Sequence, residues 1–300
     1  MPLSPQARSF AKRELEDVRE TIYQKDLRPL SAEEHFPVRN DVARWAEYYI
    51  TRQFEPIGMS GWINDYSQDF PRVGIDVDED QFRLHSHGCE YGYTNIELER
   101  AAANNRNLRE QRAMAAQRAI RERNNHVAFF GSASRKLYGL VNYPGVPRVY
   151  FDNPINANTA ADTIVEEFGA FLDTPNDVTQ NNTEVDVVGI PTTQYNFMRR
   201  TNVRSGTDTK ILEDLRDNIY DGQIDFVKMP ELDGAGPDGE DLVVCFEDRS
   251  ETWGMSIAMP FTQEDPQQEK LAWAVPCHSR TAGVTFDFPL RAAIGILPDA

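Results

Sequence analysis

Between Gly58 and Tyr93 the chain alternates apolar and polar residues without supplying enough apolar side chains to close a core of its own. Val73, Ile75 and Val77 share one side of an extended strand, and a second alternating run begins at Phe82 and Leu84. The acidic stretch Asp78-Glu79-Asp80 between them predicts a turn, so 57–94 reads as a long hairpin with a polar tip. Its candidate contact residues are Asp76, Asp78, Glu79 and Asp80. A hairpin so poor in core residues needs a surface outside itself to lie against.

The segment before it, 1–56, is charged and interrupted by proline at 2, 5, 29, 37 and 56. Short helices are expected over Phe10–Tyr23 and Val42–Ile50, but no long apolar face supports independent folding, so the stretch reads as an arm. After the hairpin, Thr94-Asn95-Ile96-Glu97 has the spacing of a capping box. Leu108 to Arg123 lacks proline and glycine and predicts the longest helix, packed through Leu108, Ala115 and Ala119. Further on, Thr159 is placed to cap a helix carrying Ile164, Phe168, Phe171 and Leu172 on one face, and Asp208 to cap another using Ile211, Leu215 and Ile219. Strands are expected at Val185–Ile190, Gln223–Lys228, Asp241–Phe246, Met255–Phe261, Lys270–Cys277 and Gly283–Phe288, with a short helix from Pro191 to Met198. The mixture predicts an α+β protein.

Charge sets limits on partners. The formal net charge is −17, which opposes simple nucleic-acid binding. It is unevenly spread, however: residues 101–150 hold nine Lys/Arg against two Asp/Glu, and 201–250 hold five against thirteen. Arg118 and Arg121, on the predicted long helix, are the candidates for facing a polyanion such as DNA. No apolar run is long enough to span a bilayer, and the charged start has no secretory apolar region.

Chemistry is hard to find. His85, His87 and Cys89 would share one strand face, the one arrangement here that resembles a metal site. Three zinc ligands on a single strand is poor tetrahedral geometry, and no C-x-x-C pair assists, so no metal is expected. The loop Asp233–Asp241 lacks the calcium-loop spacing, and Gly139–Gly145 lacks the phosphate-loop lysine. No G-x-S-x-G elbow occurs. Cys89, Cys245 and Cys277 show no framework spacing and are expected to be free thiols. No catalytic residue and no cofactor are expected.

Several stretches, in order, resemble the major capsid proteins of tailed phages with the Hong Kong 97-type fold. They are Asp65-Tyr66-Ser67 with Phe70-Pro71-Arg72-Val73, Tyr91-Gly92-Tyr93 with Glu97-Leu98, and Phe130-Gly131 with Leu137–Val146. Pro191–Tyr195, Pro230–Gly239 and Pro276–Pro289 complete the set. The resemblance implies an N-terminal arm at 1–56, an extended loop at 57–94, and a peripheral domain with a spine helix at 95–149. An axial domain at 150–254 and a return to the peripheral domain at 255–300 would follow. It further implies hexamers and pentamers closing into a head that encloses double-stranded DNA, with portal, scaffolding and decoration proteins as partners and no membrane. The protein would be made in the bacterial host cytoplasm and end in the virion. No heptad run precedes the hairpin, so scaffolding is expected to be separate or already removed. The alternatives are an encapsulin-like nanocompartment shell and a soluble metal-dependent enzyme built on His85, His87 and Cys89.

Overall fold

The computed structural model describes residues 28–62, 70–103, 108–204, 208–219 and 222–298. The helix expected over Phe10–Tyr23 lies outside them. The described chain enters through helix α1 (Ser31–His35) and strand β1 (Val38–Arg39), then runs along β2 (Tyr48–Ile57), β3 (Gly74–Arg83) and β4 (His85–Thr94). Helices α2 (Asn95–Ala103) and α3 (Leu108–Phe130) follow, then β5 (Arg148–Tyr150). Next come α4 (Ala161–Val178), β6 (Val187–Ile190), α5 (Thr192–Arg200) and a helical turn α6 (Ile211–Glu213) that continues as a wider turn over Asp214–Ile219. Strands β7 (Asp225–Lys228), β8 (Leu242–Phe246), β9 (Trp253–Gln263), β10 (Gln267–Glu269), β11 (Ala272–Phe286) and β12 (Ala292–Ile296) complete an α+β architecture.

The first sheet is organised by β11. One of its edges pairs antiparallel with β4, the other with β9 and β10, and β1 adds parallel to β9. Two strands, Lys270–Cys277 and Gly283–Phe288, were expected where β11 runs unbroken through Ser279-Arg280-Thr281. The register shifts there instead, between His278 and Gly283, and the ladder continues through an irregularity. Gly283 takes φ +78°, and a Cβ on it would sit 2.8 Å from the Tyr138 carbonyl oxygen.

Helix α3 crosses β4, β11 and β9. Thr94 and Glu97 form the expected capping box before it, at the start of α2, with bonds of 3.1 and 3.2 Å. The packed face of α3 is one residue away from the expected one: Ala116 and Ile120 are buried, while Ala115 and Ala119 are exposed. The branched Ile120 carries more transferable area than the alanines and decides the rotation. The helix also runs beyond Arg123 so that Ala128 and Phe129 enter the main core, with Val127 buried beside them. Phe36, Phe246, Trp253 and Phe286 meet there, with Trp253 stacked on Phe286 at 5.1 Å. Polar groups in this region are paired: Asn125 accepts from the Ala32 N–H and donates to Glu231, which also accepts from Ser31.

The second sheet has the order β5-β12-β8-β6-β7. Its central strands, VVGI, LVVCF and AAIGI, are buried throughout, as expected of strands covered on both faces. Helix α4 lays Ile164, Phe168, Phe171 and Leu172 on it, the face its periodicity predicts. The two expected caps are not used. Ala160 holds the N-cap position of α4, and the Thr159 hydroxyl donates to the Pro154 carbonyl. Before α6 the Glu213 carboxylate accepts from the Lys210 N–H, so Asp208 has no capping role.

Candidate functional site

The hairpin at 57–94 requires correction. Strand β3 pairs with β2, not with β4, in ten-residue antiparallel register from Tyr48 opposite Arg83 to Ile57 opposite Gly74. No helix covers Val42–Ile50, and Tyr48 already belongs to the ribbon. Asp78, Glu79 and Asp80 are mid-strand residues opposite Gln53, Arg52 and Thr51, so no turn occurs there. Strand β4 instead joins β11 in the first sheet. Local alternation sees β3 and β4 correctly but cannot reveal which strand each one pairs with.

The register makes this two-stranded ribbon two-faced, because directly opposed residues project on the same side. One side is apolar towards the tip, where Phe54 opposes Val77 and Pro56 opposes Ile75. Phe54 is 67% exposed and Ile75 70%. Nearer the root this side carries the Arg52–Glu79 ion pair, at 2.8 Å, and the polar Gln81 and Arg83 opposite Ile50 and Tyr48; an exposed ion pair of that kind contributes at most about 1 kcal/mol. The other side carries Glu55, Asp76, Asp78 and Asp80. Beyond the paired strands Met59, Trp62, Phe70 and Val73 are also exposed. Exposed apolar groups concentrated in one place mark an interaction surface.

The root of the ribbon is firm. Tyr49 and Phe82 pack on a small cluster of Val42, Leu84, Ala258 and Ala282. The buried Arg39 guanidinium pairs with Asp287 at 2.6 Å and donates to Thr285 Oγ1 and the Ser250 carbonyl, and the Gln53 amide donates to the Asp287 carbonyl. Beside the root lies a cleft of about 530 Å³ lined by Arg83, His85, Arg135, Lys136, Tyr138 and Tyr143. Burial pushes the Tyr143 hydroxyl up to about 12, and it donates to the Phe286 carbonyl.

His85, His87 and Cys89 do share one face of β4, the side turned towards α3; His87 and Cys89 are otherwise engaged, and His85 Nε2 is buried without a hydrogen-bond partner among the described residues. His87 Nε2 bonds Asn124 Oδ1 at 2.7 Å, and the Cys89 thiol points at the Ala116 carbonyl. Burial, helped by Arg83 and Arg135, holds His85 below the ordinary histidine value. Burial lowers His87 too, with Arg123 adding and the Asn124 bond opposing. Among the described residues no three His, Cys, Asp or Glu side chains converge to hold a metal ion. On α3, Arg118 pairs with Glu122 at 2.8 Å and also donates to the Arg28 carbonyl. Arg121 pairs with Glu33 at 2.6 Å. Phe54, Ile57 and Trp62 were missed as site residues. The β-branched and aromatic run Tyr48-Tyr49-Ile50-Thr51 was the available signal for β2, which carries Phe54 and Ile57.

Two cored sheets, a long helix over one of them and an uncovered ribbon describe a subunit built to pave a shell. Solved structures agree on the fold. The capsid of Myoviridae phage XM1 matches with TM-score 0.83 at 18% identity, covering 95% of this chain and 98% of that one. Gordonia phage Cozz matches with TM-score 0.70 at 9% identity, covering 99% and 96%. A virus-like particle from Pyrococcus furiosus matches with TM-score 0.54 at 11% identity, covering 89% and 91%. No curated protein matches the chain. The profile of the family described as major capsid protein matches residues 58–294, and the chain belongs to that family. It is a capsid shell protein that assembles with copies of itself. Among the described residues no helix is long and apolar enough to cross a membrane.

Proposed function

We propose that this subunit closes into hexamers and pentamers of a tailed-phage head around double-stranded DNA, with the β2–β3 ribbon of each subunit lying across its neighbour. The observation carrying this reading is the apolar side of the ribbon, where Phe54, Pro56, Ile75 and Val77 belong to none of the core clusters among the described residues. A neighbouring copy supplies the missing cover, and head-to-tail contacts of this kind close into rings. Asp76, Asp78 and Asp80 then face away from that contact or towards its rim, and Glu79 lies inside it with Arg52. In this scheme 1–56 contributes the arm up to Tyr48, 95–149 and 255–300 the peripheral domain, and 150–254 the axial domain. Portal, scaffolding and decoration proteins complete the particle, and no catalytic step is assigned to the subunit. Arg118 and Arg121 are the residues proposed to face packaged DNA, with their charge already shared with Glu122 and Glu33. The reading is tested by expressing the full chain, fractionating it by size and imaging the heavy fraction by electron microscopy. Rings of five and six or closed shells are expected, and a monomer at every concentration, with or without a scaffolding protein, would sink the proposal.

A further inference from the structure

Antiparallel pairing of β4 with β11 sets Cys89 directly opposite Cys277. Opposed Cα atoms in such a ladder lie about 4.5–5.5 Å apart, within the span of about 4.4–6.8 Å that disulfides bridge. Both side chains project to the same side, into the small apolar cluster of Ala116 and Ile120 beneath α3. The register cannot slip easily at this point, because any Cβ on Gly88 would come within 2.5 Å of the Cys277 carbonyl oxygen. Each thiol has only a weak sulfur contact to a backbone carbonyl, 3.7 Å for Cys89 and 3.8 Å for Cys277.

We propose that Cys89 and Cys277 are a covalent modification site that closes to an intrachain disulfide when the particle meets an oxidising medium. The oxidant class is a low-molecular-weight disulfide such as glutathione disulfide. Cys89, the more exposed thiol, loses its proton and attacks one glutathione sulfur; the glutathione S–S bond breaks and one glutathione thiolate leaves. Cys277 then loses its proton and attacks the Cys89 sulfur, forming the protein disulfide and releasing the second glutathione thiolate. Two protein thiols are oxidised, one glutathione disulfide is reduced, and the two protons end on the departing thiolates. Burial pushes both thiols up, and a charge on Cys89 raises Cys277 further, so the reaction is slow at neutral pH and leaves assembly in a reducing cytoplasm undisturbed. Strand β4 continues from β3 after Leu84, so the bond would fasten the root of the ribbon to the central strand of the first sheet. The change of compartment rests on the shell reading; the bond itself rests only on the strand register.

The test uses the full chain, as subunits and as particles, incubated with glutathione disulfide at mildly alkaline pH, quenched with acid, alkylated in denaturant and mapped without reduction. A linked peptide pair containing Cys89 and Cys277 is expected, with the fully buried Cys245 recovered as the alkylated thiol. The oxidised chain should unfold several degrees above the reduced one. That difference should vanish in Cys89→Ala and in Cys277→Ala, each compared with its own reduced form so that lost packing cancels. Recovery of all three cysteines alkylated, of glutathione adducts alone, or of bonds between chains would overturn the proposal. None of those outcomes would touch the shell reading, which is scored on assembly.

Discussion

The β2–β3 ribbon and the β9–β11 pair are both long antiparallel pairings, and they meet opposite fates. In β9 and β11 the paired residues from Trp253 opposite Phe286 to Ser256 opposite Gly283 are all buried, covered by the C-terminal half of α3 and by the aromatic cluster around Trp253. In the ribbon, Phe54, Ile75 and Val77 are apolar too, yet nothing among the described residues covers them. A two-stranded ribbon left alone in water is marginal. The difference teaches that stability and assembly occupy separate parts of this molecule: one pair holds the subunit together, and the other is offered to a neighbour.

The sharpest contrast comes from removing one aromatic on each side. Trp253→Ala removes a fully buried ring and its 2.8 Å hydrogen bond to the Glu247 carbonyl, and should cost about 3–5 kcal/mol in denaturant unfolding of the subunit. Phe54→Asp together with Ile75→Asp should leave that unfolding curve within about 0.5 kcal/mol of the parent while abolishing shells in the microscope. A ribbon variant as destabilised as the core variant would erase the distinction.

A smaller effect is expected from acid. His87 is neutral in the folded subunit because burial lowers it beneath the ordinary value of 6.5. The unfolded chain binds that proton first as pH falls through 6.5, so this stability is full above that value and declines below it until the lowered folded value is passed. Thermal unfolding followed between about pH 7 and about pH 5 should show a shallower loss in His87→Gln than in the parent. The ribbon contains no histidine, so its variants should keep the parent slope. Smallest of all should be Arg118→Gln with Arg121→Gln. Each breaks one solvent-facing ion pair, at a stability cost within about 1 kcal/mol, and the salt dependence of DNA retention by filled heads should flatten only slightly.

What the sequence made legible was local. The face of α4 and the Thr94–Glu97 box are properties of neighbouring residues, and both stand as expected. The exposed character of Asp76–Asp80 was legible too, because alternation with carboxylates leaves little to bury. What was hidden depends on distant chain. β2 gained its identity only by pairing with β3, and the polar residues of Ser279–Thr281 stayed in β11 only because β4 and β9 flank them. The rotation of α3 was missed because it is set by what the sheet below offers Ile120. The facing of Cys89 and Cys277 likewise exists only in the register of two strands far apart in sequence.

Gln53 opposes Asp78, so the outer ribbon is removed without losing the Gln53 bond to Asp287 by replacing residues 54–77 with a short Asn-Gly turn between them. Unfolding of the truncated subunit, measured alongside particle imaging, tests directly whether the ribbon serves its neighbours. The expected result is a soluble subunit with the parent's unfolding midpoint that forms no closed shells. A truncated chain that fails to fold, or one that still builds shells like the parent's, would contradict it.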